Sequence, residues 1–234
     1  MKSKKEDLSK RGYLDSEMEK KFLNLSFDQK LQLLQSNIAK ERTLGARLLH
    51  DDHNFAVEEL IEALSSETKL YPKIEISRTL VSYKKKSVKS LIIKLGKIGS
   101  NQYETIPLKE FKKDNYPLPR DIASRTLANI GKEALPELLK ILNFGTQKQL
   151  SEAIDAIGYI CFYNYQPNIF EKLQKCYFNN VNNSLIRWKI IRAMSSFPES
   201  KPFLEEQKRI DPNPRIVKEI ERSLRLIDKQ RNNK

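Results

Sequence analysis

The residues best suited to bind a metal ion form the run His50-Asp51-Asp52-His53, which holds both histidines of the 234-residue chain. Imidazole nitrogens and carboxylate oxygens are common protein ligands of divalent cations. A metal site also requires that these side chains converge on one point. The run falls at a predicted turn between two helices, and a turn by itself does not supply that convergence. We therefore expect no metal site and no cofactor.

The two cysteines, Cys161 and Cys176, are the candidate nucleophiles, but neither has a plausible base near it in the sequence. The sequence also has no glycine-rich phosphate loop and no Gly-x-Ser-x-Gly turn. Two thiols without a wider cysteine framework are typical of a reduced, intracellular protein. We predict a cytoplasmic protein with no catalytic residues, and hence not an enzyme.

Lysines are concentrated in the segment KKKSVKSLIIKLGK, residues 84–97. At about 100° per residue its apolar side chains fall on one helical face. Lys86, Lys94 and Lys97 lie on the opposite face, and Lys89 lies at its margin. This basic ridge suits an acidic partner, although a solvated amphipathic helix has the same pattern. The acidic segment that precedes it would neutralise part of the charge.

Two aromatic-rich stretches interrupt the pattern of the chain and are the other candidates for partner binding. The first, SNQYETIPLKEFKKDNYPL, carries Tyr103, Phe111 and Tyr116 among lysines and prolines. The second, CFYNYQPN, carries Phe162, Tyr163 and Tyr165. Aromatic side chains beside lysines suit a peptide groove or base stacking. The alternatives are that they fill a local packing gap, or that YICFYNY only lengthens a helix.

The overall charge favours an anionic partner but does not identify one. The chain has 43 Lys and Arg against 30 Asp and Glu, a net charge of +13. Residues 71–100 alone hold eight basic residues and one acidic residue. No apolar run approaches the roughly 20 residues that span a bilayer, and no apolar stretch follows the basic N-terminus. We expect no membrane segment and no signal peptide.

The elements that must position these residues form a repeat. RTLANIGKEALPELLKIL, residues 125–142, aligns without a gap with RTLVSYKKKSVKSLIIKL, residues 78–95. Each copy has an apolar stripe, a break and a second apolar stripe at helical spacing. The equivalent anchors, separated by 31, 47, 30, 37 and 30 residues, are Leu49, Leu80, Leu127, Ile157, Met194 and Leu224. Two short helices per unit cannot bury their stripes alone, so neighbouring units must stack.

This pattern predicts an all-α fold, a right-handed α-solenoid of five to six stacked helical hairpins with terminal capping helices. Residues 1–37 are the predicted N-terminal caps, 38–227 the solenoid and 228–234 a frayed basic tail. The two aromatic-rich stretches fall between hairpins and within a hairpin, which are opposite edges of such a stack. We therefore expect them to flank the array rather than meet.

The segment PRDIASRTLANIGKEALPELLKIL resembles the short HEAT-like repeat of the phycobilin-lyase type. Arg120 matches the consensus arginine of that repeat, and Ile130-Gly131 matches its Ile-Gly pair. Arg42 and Arg187 match the same arginine in other units, and Lys73 replaces it. The resemblance implies right-handed stacking, with first helices convex and second helices concave. It also implies that the repeated arginines build the hairpin rather than a binding site.

We predict a non-enzymatic HEAT-repeat scaffold or adaptor that binds another protein, most readily an acidic one, through its concave face and flanking loops. The alternative is a nucleic-acid-binding HEAT-repeat protein that uses the basic ridge. A lyase or other HEAT-repeat enzyme is a further alternative, but no group of side chains in the sequence supports it.

Overall fold

The computed structural model describes residues 5–15, 22, 24–52 and 55–232, and every regular element in these ranges is helical. The α-helices, in chain order, are α1 (Lys5–Lys10), α2 (Phe27–Leu34), α3 (Ala39–Leu48), α4 (Val57–Ser66), α5 (Leu70–Ser82), α6 (Lys85–Lys94), α7 (Ile122–Ile130), α8 (Leu135–Phe144), α9 (Gln147–Tyr163), α10 (Phe170–Asn179), α11 (Ser184–Met194), α12 (Lys201–Ile210) and α13 (Pro214–Asn232). No described helix is both long enough and apolar enough to cross a membrane.

The described helices from α3 onward form five hairpins and the first helix of a sixth, as the repeat predicts. Each first helix packs against the first helix of the next hairpin, from α3 through α5, α7, α9 and α11 to α13. The second helices α4, α6, α8 and α10 pack side by side in the same order. Five of the six predicted anchors are fully buried, and Leu224 packs partly buried against the core. The fold is an α-solenoid.

Local sequence signals set the helix boundaries at Ser26 and Gly131. Ser26 caps α2 in a capping box, since its side chain accepts from the Gln29 N–H while the Gln29 side chain accepts from the Ser26 N–H. Gly131 ends α7 with a φ of 83°, which costs glycine no Cβ clash. Upstream, Leu14 packs with Leu44 and Leu48 and covers the first hairpin.

Two of the three repeated arginines join the first helix of a hairpin to the end of its second helix. The third, Arg120, instead donates to the carbonyl oxygen of Asn101, upstream of α7. In the first hairpin, Arg42 binds Glu67, the residue that ends α4, at 2.7 and 3.0 Å. Glu67 also accepts from the N–H groups of residues 68 and 69 at the start of α5. In the fifth hairpin, Arg187 binds Asp211, which ends α12, at 2.5 Å. In both hairpins, therefore, an arginine at the equivalent position of the first helix binds the acidic residue that follows the second helix.

Residues 96–121, which include the first aromatic-rich stretch, form a strap across the first-helix layer. Tyr103 packs edge-on against Trp188 of α11, with ring centroids 5.6 Å apart. Farther along, the carbonyl oxygens of Ile106 and Asn115 accept from arginines of α13 at 3.2 and 2.7 Å. The strap then returns to α9, where Tyr116 is buried. It thus reaches helices more than 100 residues away in sequence.

The expectation that the two aromatic-rich stretches do not meet is wrong. Tyr116 of the strap packs against Phe162 near the end of α9, with ring centroids 5.7 Å apart, and Phe162 packs against Tyr163. They meet because the strap crosses the layer instead of staying at its edge. The sequence YICFYNY does lengthen a helix, since α9 has 17 residues and continues through Tyr163.

The last helix extends farther than predicted. α13 continues to Asn232, through most of the segment 228–234 that the sequence assigns to a frayed tail. Two ion pairs connect this part of the helix to the rest of the molecule at exposed positions. Lys229 binds Asp114 of the strap at 2.5 Å, and Asp228 binds Lys201 of α12 at 2.8 Å.

Candidate protein-binding surface

Three of the four lysines of the basic ridge lie on α6, as the helical pattern predicts, whereas Lys97 lies beyond the end of that helix. Lys86 and Lys89 of α6 are exposed, Lys94 at its end is partly buried, and Lys97 is exposed at the start of the strap. The opposite face of α6 is buried in the core through residues 88, 91 and 95. The ridge is therefore part of the outer surface of the second-helix layer, and its role in binding stays a prediction.

Acidic residues flank the ridge on both sides. On the α4 side, Glu58 accepts a hydrogen bond of 2.6 Å from Ser90 of α6. On the α8 side, the pKa of the Glu137 carboxyl is lowered by a hydrogen bond from Lys140, and the charges of Lys89 and Lys85 lower it further. The charge of α6 is thus partly balanced by its neighbours, as the adjoining acidic segment suggested.

A groove between the second helices α8 and α10 lacks this balance. It encloses about 700 Å³, and four lysines line it without a carboxylate. Two of them, Lys132 and Lys140, lie on the α8 side, and Lys172 and Lys175 lie on α10. Lys132, Lys172 and Lys175 form no ion pair with any residue that the structure describes. The groove is basic on both walls.

The floor and end of the same groove are apolar. Leu135, Leu139 and Leu142 of α8 line it together with Ile169, which precedes α10. Phe144, the last residue of α8, is 86% exposed at its end. Because a phenylalanine this exposed has almost no contact within the chain, the groove offers an apolar anchor that nothing in the described structure covers.

Sequence reasoning missed this groove because its lysines come from two units of the repeat. The spacing of these lysines in the sequence gave only a weak indication of a shared surface. Lys172 and Lys175 are three residues apart and share a face of α10, and Lys132 lies in the short 3-10 turn that leads into α8, eight residues before Lys140. Only the stacking of α8 on α10 brings the two pairs to the rims of one groove.

The three aromatic residues predicted in the strap are largely occupied by contacts within the chain. Tyr116 is 2% exposed. Tyr103 is partly buried, with the Arg120 guanidinium 4.5 Å above its ring. Phe111 is also partly buried, and the Arg222 guanidinium lies 5.0 Å from its ring centre. These contacts favour the packing alternative for the strap.

The aromatic residues at the end of α9 differ from one another in exposure. Phe162 is partly buried against Tyr116. Tyr163 and Tyr165 are exposed, and the Tyr165 hydroxyl donates to Glu199 at 3.1 Å. Tyr163 and Tyr165 are therefore the members of the two aromatic sets that a partner can reach with little rearrangement.

A buried ionic cluster lies beneath the strap. The Lys189 side chain is fully buried, and its ammonium group binds Asp155 at 2.8 Å and Glu152 at 2.9 Å. Burial lowers the pKa of Lys189, but the two carboxylates outweigh it and the net pKa is raised. Burial, together with the charge of Asp155, raises the pKa of Glu152 to about 7 despite the pairing.

A second buried ionic group joins α11, α13 and the strap. Glu219 of α13 binds Arg192 of α11 at 3.2 Å and Arg222 of its own helix at 2.9 Å. Arg222 also donates to the carbonyl oxygens of Lys113 and Asn115 in the strap. The first helices thus have a buried polar face under the strap in addition to their apolar face. Sequence reasoning missed both groups, because polar positions on a first helix are expected to face solvent.

The residues considered for metal binding and nucleophilic chemistry have ordinary surroundings. His50 contacts the adjacent Asp51 at 3.0 Å, and His53 lies outside the described residues. Within the described ranges, no three His, Cys, Asp or Glu side chains are grouped so as to hold a metal ion. Burial raises the pKa of Cys161 to about 12 and that of Cys176 to about 11, which disfavours their thiolates.

Comparison with known proteins adds no family assignment. No family model matches the chain, and no curated protein matches it. Among solved structures, it is similar to an engineered protein from a structural genomics consortium, at 15% identity and a TM-score of 0.39, covering 88% of this chain and 99% of that one. A designed armadillo repeat protein matches at 17% identity and a TM-score of 0.37, covering 86% of this chain and 100% of that one. At such TM-scores the likeness adds nothing to what the helix packing establishes.

Proposed function

We propose that this α-solenoid is a non-enzymatic scaffold or adaptor of the HEAT-like type that binds an acidic protein through its second-helix layer. The observation that carries the proposal is a second-helix layer with exposed lysines on α6 and, between α8 and α10, a basic groove with an uncovered apolar floor. Surfaces that combine exposed apolar anchors with a charged rim are typical of protein–protein interfaces. In HEAT-like repeats, which the sequence resembles, second helices line the concave side, and we infer the same position for these helices.

The arrangement of the first-helix layer supports this choice of surface. The strap lies over α9, α11 and α13 and uses its side chains and carbonyl groups in contacts with them. A partner on that side would first have to displace these contacts. The second helices carry no such cover among the described residues, so they offer the larger free surface. The exposed ring of Tyr163 lies at the edge between the layers and is a secondary contact.

Reversal of charge on the ridge tests the proposal. The protein is used to capture its partner from the native cell, and the affinity of the purified pair is then measured for the wild type. The variant replaces Lys86, Lys89, Lys94 and Lys97 by Glu. We expect it to bind at least about tenfold more weakly, because each reversed charge repels an acidic surface.

The matched control replaces four exposed lysines elsewhere by Glu, namely Lys10, Lys109, Lys112 and Lys113. It changes the net charge by the same amount, so a loss in both variants would indicate only a general dependence on charge. Binding through the second-helix layer would be refuted if the ridge variant and variants of the groove between α8 and α10 all bound the partner as tightly as the wild type.

Nucleic-acid binding is the second candidate, favoured by the five lysines and absence of acidic residues in 84–94. It predicts an affinity for short DNA or RNA duplexes that falls steeply with salt, because each neutralised phosphate releases counterions. The affinity is measured at 50 and at 200 mM salt. A protein that contacts six or more phosphates should lose about 10³-fold in affinity between these concentrations, and this loss distinguishes the two candidates. Negligible binding at the lower concentration would eliminate the nucleic-acid alternative.

We also propose that the protein has no catalytic step of its own and acts in the cytoplasm. Both cysteines are buried, unpaired and raised in pKa, which suits a reducing compartment and argues against a nucleophilic role. A purified protein that carries a stoichiometric metal ion or pigment would contradict the proposal.

A further inference from the structure

We propose that the groove between α8 and α10 is the anchor site for one acidic amphipathic helix of the partner protein. This proposal rests on the proposed function, since it names the element of an acidic partner that the second-helix layer recognises. Its support comes from three properties of the groove, namely its charge, its apolar floor and its length.

The charge of the groove selects an acidic occupant. Lysines stand on both walls, with Lys132 and Lys140 on the α8 side and Lys172 and Lys175 on α10. The lining contains no carboxylate, and the contact of Lys140 with Glu137 is made along α8 itself. A helix that lies between the walls would meet a positive charge on either side. Carboxylates on both flanks of that helix would therefore be paired.

The apolar floor selects an occupant that is also amphipathic. Leu139 and Phe144 of α8 are partly or largely exposed, whereas Leu135, Leu142 and Ile169 form the deeper surface. A uniformly acidic, fully polar segment would leave this floor in contact with polar groups. Leucine or phenylalanine side chains would bury it instead, and the aromatic ring of Phe144 is the largest surface available to them.

The geometry favours a helix over an extended peptide. The backbone groups of α8 and α10 are already paired within each helix, so the groove offers no row of free donors and acceptors to an extended chain. A helical segment satisfies its own backbone and docks by side chains at i, i+3, i+4 and i+7. Each wall helix has ten residues, which corresponds to a length of about 15 Å. The expected occupant is thus a helix of about three turns.

Nucleic acid is a less suitable occupant of this groove. Single strands bind by stacking bases on several aromatic rings along a basic track. The groove has one ring, Phe144, and an otherwise aliphatic floor. An acidic protein helix uses both the lysines and the floor, whereas a polyanion would use the lysines alone.

The test uses the full-length protein and a labelled synthetic peptide of about 14 residues, with leucines at i, i+3, i+4 and i+7 and glutamates on both flanks. Its affinity is measured by fluorescence anisotropy. A scrambled peptide of the same composition is the control for net charge. We expect the scrambled peptide to bind at least about tenfold more weakly, because it cannot present its leucines on one face.

Three protein variants locate the peptide. Lys132→Glu combined with Lys172→Glu and Lys175→Glu should weaken binding at least about tenfold, through repulsion on both walls. Phe144→Ala should weaken it about tenfold and Phe144→Leu much less, because leucine keeps most of the apolar contact. Since all four side chains are exposed, circular dichroism should show unchanged folding.

The results separate this proposal from the proposed function. If both peptides bind equally, or if the triple reversal and Phe144→Ala leave the peptide affinity unchanged, the groove is not the anchor site. If the captured partner is then still lost on reversal of the four ridge lysines, the second-helix layer remains the binding surface and only the groove proposal falls. The groove proposal would also be overturned if a DNA oligonucleotide competed with the labelled peptide as well as the unlabelled peptide does and Phe144→Ala did not change the peptide affinity.

Discussion

Tyr116 of the strap lies directly above Gly158 of α9, so that a Cβ atom placed on Gly158 would be 2.0 Å from the tyrosine hydroxyl oxygen. No real Cβ contact is that short. The close approach exists because α9 has no side chain at this position and Tyr116 fills the space. The strap and the first-helix layer are therefore fitted to each other at one residue pair.

The first prediction concerns this residue pair. Gly158→Ala should destabilise the protein by about 1–3 kcal/mol, because the added methyl group forces Tyr116 out of its site. Chemical denaturation measures the change. Gly158→Ala should cost less in a Tyr116→Leu background than in the wild type, since the clash with the tyrosine is gone and only the 2.9 Å approach to the Ala193 Cβ remains. Strictly additive effects of the two substitutions would show that the pair does not interact.

The second prediction concerns the buried ammonium group of Lys189. Lys189→Met should cost about 3–5 kcal/mol of unfolding free energy at neutral pH, because Glu152 and Asp155 lose their shared cation while they remain buried. Thermal or urea unfolding measures it. Lys172→Met, at an exposed position on α10, is the matched control and should have no measurable effect. A small loss for Lys189→Met would mean that the cluster is hydrated or rearranges.

The third prediction is a pH dependence that arises from Glu152. Its pKa of about 7 in the folded protein lies above its ordinary value of 4.5, so the folded state binds more protons than the unfolded state between these values. Stability should therefore fall as pH rises from about 4.5 to 7, and the loss should be complete above pH 7. Glu67, whose pKa is lowered, acts in the opposite direction and below this window.

Glu152→Gln should flatten the stability profile between pH 5 and 7, because the titrating group is gone. Glu205→Gln, an exposed position on α12, should leave the slope as it is in the wild type. Stability that rises with pH over this window in the wild type would contradict the assignment, as would an unchanged slope in Glu152→Gln.

The fourth prediction compares two contacts between the strap and α13. Arg222→Met removes the donor of two partly buried hydrogen bonds to the carbonyl oxygens of residues 113 and 115. It should lower the free energy of unfolding by about 2–4 kcal/mol. Asp114→Asn breaks the exposed pair with Lys229 and should cost nothing measurable. Hydrogen exchange of the strap provides an independent measure. Equal effects of the two substitutions would mean that burial does not decide which contact holds the strap.

The sequence predicted the solenoid and its anchors because each unit repeats the apolar spacing that a helix needs on its buried face. Leu80 and Leu127 occupy equivalent places in two units, and both are fully buried. The basic face of α6 was predictable for the same reason, since Lys86 and Lys89 belong to a periodic helix. These features depend on spacing within a single unit.

The strap and the groove could not be predicted, because each depends on contacts between distant units. Asn115 and Arg222 are 107 residues apart, and the strap has no helical period that would indicate its path. Lys189 has the polar side chain of a surface position, yet it is buried because the strap covers α11. Lys140 and Lys172 face one groove only because α8 stacks on α10.

A footprint of the captured partner by hydrogen–deuterium exchange shows directly which helix layer the partner covers. If the partner binds through the second-helix layer, as we propose, protection should appear in α6, α8 and α10, centred on the Phe144 end of α8, with the strap unchanged. Protection confined to the strap and α13, with no change in those second helices, would contradict the central claim.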